Sequence, residues 1–144
     1  MAALTKAYEA FEKPSILVLY KMAGNTTIYK GALVGVNGGG YAVPMDHSVA
    51  NLTFIGIAQE TVQNTGSDGD RSIRVVKSGS GVFADLGIQS QSNIGKEVYA
   101  KTDNEVQVAT TGLTNLYKVG RIVALETTSL GANGYRIRID GYAN

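Results

Sequence analysis

"NLTFIGIA", Asn51–Ala58, is the stretch on which the fold turns. Phe54, Ile55 and Ile57 make a short apolar run around Gly56, which reads as a strand over residues 54–61. Sixty-four positions later the chain reads "NLYKVGRI", Asn115–Ile122. At the same offset "GALV" (Gly31–Val34) meets "GKEV" (Gly95–Val98), and Gly56 falls on Gly120. With one residue of slack, "GGYAV" then meets "NEVQV". Each copy reads as glycine, strand, turn, strand, a stretch with Asn-Leu, and a strand entered past a glycine. Two copies are too few for a solenoid. They predict two units, residues 31–62 and 95–127, packed face to face as a compact β-barrel or β-sandwich. Val34, Val43, Ile55, Ile57, Val98, Val108, Val119 and Ile122 are the expected core.

Outward from these units the same punctuation continues. Eighteen glycines and two prolines fall between short runs of Val, Ile, Leu and Tyr, so the whole is expected to be all-β, built of short antiparallel strands. Besides 54–61, strands are predicted at 16–21, 32–36, 41–43, 72–77, 81–86, 97–101, 106–110, 119–126 and 135–140. In "YRIRIDG", Tyr135, Ile137 and Ile139 take one face while Arg136, Arg138 and Asp140 take the other. "NGGG" (37–40), "TDNE" (102–105) and "GANG" (131–134) are hairpin turns expected to supply positive φ. Residues 1–14 form an N-terminal arm, extended or briefly helical, with Leu4, Tyr8 and Phe11 at i, i+4, i+7 and Pro14 as its stop. Residues 15–144 form a single β-rich domain.

At 144 residues the chain is long enough to bury a core without staples. A net charge of +1 with no run of like charges argues against nucleic acid as a partner. No cysteine is present, which removes disulfides, thiolate chemistry and cysteine-based zinc sites. "SILVLY" (15–20) is the longest apolar run, well short of a membrane span, so no membrane association is expected. The opening residues do not resemble a secretory signal, and cytosolic synthesis is the expectation.

Reactive constellations are scarce. His47 in "PMDHSVA" is the one histidine, and its neighbours Asp46 and Ser48 point elsewhere on an extended chain, so they form no relay with it. Asp68 and Asp70 in "SDGDR" have a calcium-loop spacing without the remaining ligands. "GVNGGG" lacks the Gly-Lys-Ser/Thr and the helix that a phosphate cradle needs. We therefore expect no enzyme, no cofactor and no metal. Arg71, Arg74, Arg121, Arg136 and Arg138 interleave with Val and Ile on strands, giving a polar face suited to an acidic protein surface. Eight tyrosines against three phenylalanines favour an interaction protein.

"YKGALVGVNGGGYAVP", "FIGIAQETV", "RVVKSGSGVFADL", "IGKEVYAKTDNEVQV", "KVGRIVALET" and "YRIRIDG", behind a polar N-terminal arm, resemble the capsid decoration or cement proteins of tailed phages. The resemblance runs from about Tyr29 onward and rests on strand and turn patterns, with no reactive signature. It implies a structural virion protein on the capsid exterior, made in the host cytoplasm, that binds the major capsid protein and itself as a homotrimer. The expected contact residues are Leu4, Tyr8 and Phe11 of the arm and Arg71, Arg74, Arg136 and Arg138 of the body. Alternatives are another virion β-protein, such as a tail or spike subunit, and a carbohydrate-binding β-domain.

Overall fold

The computed structural model describes residues 16–85 and 89–144; the arm, with Leu4, Tyr8 and Phe11, lies outside them. The described chain is all-β and antiparallel. Its strands are β1 (Leu17–Lys21), β2 (Thr26–Ile28), β3 (Leu33–Val36), β4 (Ala42–Pro44), β5 (Thr53–Ala58), β6 (Val62–Asn64), β7 (Ser72–Val76), β8 (Ser80–Ala84), β9 (Glu97–Ala100), β10 (Val106–Gln107), β11 (Lys118–Thr127) and β12 (Asn133–Arg138). One short 3-10 turn, Gln91–Asn93, interrupts them.

Two five-stranded sheets share one plan. The first has the order β1-β7-β5-β3-β4 and the second β8-β12-β11-β9-β10. Each strand of the first sheet thus has a counterpart in the second. The hydrogen bonds repeat as well. Gly31 N–H donates to Ala58 O and Ala58 N–H to Ala32 O; Gly95 donates to Ile122 O and Ile122 to Lys96 O. Gly31 and Gly95 both hold φ near +90°, at 89° and 86°, a region that glycine enters without steric cost.

The sheets pack as a sandwich and neither closes into a barrel. Past β1, Met22 makes a single bridge to Ala42, and at the end of β8 Ala84 makes one to Glu105, leaving β1 and β8 as edge strands. The expected core splits in two. Val34, Ile55, Ile73 and Val75 pack with Ile28 and Val62 of the two-stranded β2–β6 sheet on one side of the first sheet. Leu33, Met45, Leu52 and Phe54 join Val98, Val119, Ile122, Tyr135, Ile137 and Ile139 in a larger cluster that binds the sheets together. Neighbours along a strand face opposite ways, so β5, with both Phe54 and Ile55 buried, serves both clusters. Val43, Ile57 and Val108 are only partly buried at the rim of the larger cluster.

β2 and β6 escaped the sequence reading. "TTI" and "VQN" are three residues each and become strands only by pairing with each other. Predicted hairpins at 37–40, 102–105 and 131–134 all join neighbouring strands. Gly40 and Gly131 adopt positive φ, at 86° and 83°. No residue of 102–105 does; there Thr102 Oγ1 meets Glu105 Oε1 at 3.1 Å and Lys101 N–H donates to Glu105 O at 2.8 Å, closing the turn without the left-handed region.

Candidate functional site

The residues that resembled chemistry are occupied by the fold. Ser48 donates from both its amide (2.8 Å) and its hydroxyl (2.7 Å) to Asp46 Oδ1, and these bonds hold the Asp46 carboxyl below its usual range. His47 Nδ1 instead accepts from the Thr114 amide at 3.1 Å, while its carbonyl accepts from Asn115. No Ser-His-Asp relay is assembled here. Asp68 Oδ1 accepts from the Gly24 amide at 2.7 Å, tying its loop to the β1–β2 connection, and Asp70 Oδ2 accepts from the Ser67 amide at 2.9 Å within its own loop. Asn37 Oδ1 caps the "NGGG" turn through the amides of Gly39 and Tyr41. Among the described residues no group of three or more His, Asp or Glu side chains is placed to hold a metal ion.

The four arginines expected at an interface are all exposed, and the structure distributes them over both sheets. Arg71 precedes β7 and Arg74 lies on it; Arg136 and Arg138 lie on β12, the counterpart strand. Arg74 is paired across the ladder with Leu19 of β1, and Arg136 with Val82 of β8, so an apolar residue on each edge strand faces an arginine. Arg136 binds Glu126 at 3.0 Å and Arg138 binds Asp140 at 2.9 Å; among the described residues Arg71 and Arg74 make no ion pair. Lys118 (3.2 Å) and Arg121 (2.9 Å) converge on Glu97, which also accepts from Tyr142 Oη at 3.1 Å. The bond from Lys118, then that from Tyr142, lowers the Glu97 carboxyl below its ordinary range.

Exposed apolar side chains are what the sequence did not reveal. Ile16 and Leu19 are 63% and 62% exposed, and Leu17 is exposed beside them on β1. Alongside β8, Val82, Tyr29 and Leu130 line a groove of about 650 Å³ together with Asp103 and Glu105. Leu130, at the tip of the β11–β12 hairpin, is 86% exposed. Asp103 is half-buried, and desolvation, reinforced by Asp46 and Glu105, raises its carboxyl above the usual range. The available signal was "SILVLY", an apolar run whose alternate residues belong to a strand paired on one side only.

A smaller cleft of about 370 Å³ gathers Tyr99, Tyr117, Tyr142 and the exposed Leu116. Tyr117 Oη is not free there: it donates to Val49 O at 2.6 Å and accepts from the Leu52 amide at 3.2 Å, tying the two Asn-Leu stretches to each other. Together these surfaces carry exposed apolar side chains and, among the described residues, two arginines, Arg71 and Arg74, that make no ion pair. No protein-family model matches the chain, and no curated protein is significantly similar to it.

Proposed function

We propose that this chain is a structural virion protein that binds the outer surface of a tailed-phage capsid lattice and stabilises the mature head, assembling as a homotrimer on the major capsid protein. The observation that carries the reading is the set of large apolar side chains left in solvent, Ile16, Leu17 and Leu19 at the β1 edge and Tyr29 and Leu130 around the groove beside β8. Scattered apolar residues need no explanation, but a run beside an open strand marks an adhesive surface. The sequence resemblance supplies the kind of partner.

Stabilisation then follows from mass action. A ligand that binds only the assembled shell shifts the equilibrium toward it by RT ln(1 + [L]/Kd). A lattice presents many identical sites, so modest contacts add through multivalency. No bond is made or broken. The test is co-sedimentation of the purified protein with expanded heads and with unexpanded precursor shells of the phage that encodes it. Selective pelleting with expanded heads, together with a higher temperature of head rupture, is expected; heads that neither bind the protein nor gain heat resistance would end the proposal.

The tyrosine cleft at Tyr99, Tyr117 and Tyr142 favours a second reading, a carbohydrate-binding β-domain, because aromatic faces beside polar groups suit sugar rings. Binding on a glycan array that is lost in Tyr99→Ala would select it over the capsid.

A further inference from the structure

Each sheet ends on an unfinished strand. β1 pairs with β7 along one side; among the described residues no strand pairs with its other side from Leu17 to Tyr20, before the bridge between Met22 and Ala42. β8 pairs with β12 and is likewise open from Ser80 to Phe83, until Ala84 N–H donates to Asn104 O. A row of unpaired N–H and C=O groups is a template for another strand.

The two edges carry complementary chemistry. β1 presents Ile16, Leu17 and Leu19 amid the exposed cations Lys21, Arg71 and Arg74, none of them ion-paired among the described residues. The carboxylates nearest in sequence, Asp68 and Asp70, are turned to the amides of Gly24 and Ser67. The β8 edge opens on the groove of Val82, Tyr29 and Leu130, where Asp103 and Glu105 outnumber Lys30 and where Arg136 is already held by Glu126. Asp103 is partly buried in this groove, and its neighbours Asp46 and Glu105 repel its charge. Cations thus predominate beside the β1 edge, where Glu60 is turned to the Arg74 amide, and carboxylates predominate in the groove, so the two apolar surfaces are complementary in charge.

We propose that copies of this chain associate head to tail, the β1 edge of one copy docking beside β8 in the groove of the next. Leu17 and Leu19 cover Val82, Tyr29 and Leu130, and the basic residues of the incoming edge neutralise Asp103 and Glu105. A contact between two different surfaces is heterologous, so it closes into a ring or runs on as a filament. It names the surfaces of the proposed self-assembly, yet its test needs no capsid, and either idea can fail without the other.

Sedimentation equilibrium of the full chain at ~100 µM, enough to populate a contact with a micromolar dissociation constant, is expected to show species above the 15.2 kDa monomer. Leu19→Lys and Val82→Lys each sediment as folded monomers, because each blocks one partner surface; both positions are exposed, and Leu130→Lys serves as a second groove variant. Mixed in equal amounts, Leu19→Lys and Val82→Lys are expected to form a dimer that grows no further, since one intact edge meets one intact groove. A monomeric wild type, single variants that assemble as the wild type does, or a mixture that stays monomeric would each overturn the contact. A wild type that assembles only after residues 1–13 are removed would overturn it too, and would identify the arm as what covers the edge.

Discussion

Gly56 and Gly120, sixty-four positions apart, stand at the same place in the two sheets. A Cβ on Gly56 would run into the carbonyl oxygen of Val76, and one on Gly120 into that of Arg138, the residues at matching positions on β7 and β12. Both glycines let the central strand of a sheet pass close to its neighbour, and Gly56 does so at φ 144°. In both cases the obstacle is backbone, which cannot rotate away.

Gly120→Ala should therefore destabilise the fold by at least ~2 kcal/mol, and Gly56→Ala by more, since strain at φ adds to the overlap. Gly38→Ala is the control: nothing lies within 4 Å of its Cβ position, and a change within about 0.5 kcal/mol is expected. Urea denaturation of the three variants checks the order. Equal stability of Gly120→Ala and Gly38→Ala would contradict the close approach.

Asn64 is 1% exposed and closes the loop between β6 and β7. Its Nδ2 donates to Ala23 O (3.0 Å), Ser67 O (3.0 Å) and, more loosely, Met22 O (3.4 Å), and its Oδ1 accepts from the Gly66 amide (3.0 Å). Asn64→Ala orphans these groups and should cost about 2–3 kcal/mol. Asn64→Asp keeps the shape but sets a carboxylate, which cannot donate, against carbonyl oxygens, so it should cost more than Ala at pH 7 and recover part of the loss as acid protonates it. Thermal melts across pH distinguish the two.

Asp103 gives a pH signature of the opposite sign to the paired carboxylates. Its folded pKa is raised above 3.8 by burial, so folding favours the protonated form. The contribution to stability is present below the unfolded pKa and is lost as pH rises through the folded one. Asp140 is lowered, first by the Gly79 amide and then by Arg138; its contribution is present above 3.8 and is lost as pH falls through its folded pKa. Asp103→Asn should raise the melting temperature at pH 7, with the gain vanishing in acid, whereas Asp140→Asn should lower it at pH 7. Both are measured at low protein concentration, where association does not intervene.

Removal of residues 1–13 should leave the described sheets intact, because their first strand begins at Leu17, while lowering occupancy on expanded heads. Circular dichroism checks the first half of that statement and quantified co-sedimentation the second. Full occupancy by the truncated protein would take Leu4, Tyr8 and Phe11 out of the binding mechanism.

Much of the architecture was legible because it follows from local pattern. The alternation in "YRIRIDG" placed Tyr135, Ile137 and Ile139 inward and Arg136 and Arg138 outward, and their burial agrees. The match of Gly31 to Gly95 and of Gly56 to Gly120 was visible because a backbone requirement writes the same residue twice. Barrel and sandwich were indistinguishable in sequence, since closure depends on whether the edges β1 and β4 pair beyond the one bridge from Met22 to Ala42. Side-chain exposure on β1 was equally hidden. Leu17 and Leu19 have the composition of a core strand, and whether another element covers their face is a tertiary fact; among the described residues none buries them.

All strands of the first sheet lie between Leu17 and Val76, and all strands of the second between Ser80 and Arg138. During synthesis the first sheet can therefore form before the second has left the ribosome. At ~5–20 residues per second, the wait lasts roughly 3–12 s. Throughout that interval Leu33, Met45, Leu52 and Phe54 lack the partners they meet in the finished protein. The nascent half-chain then exposes apolar side chains that the finished protein buries, the condition under which a chain is open to aggregation.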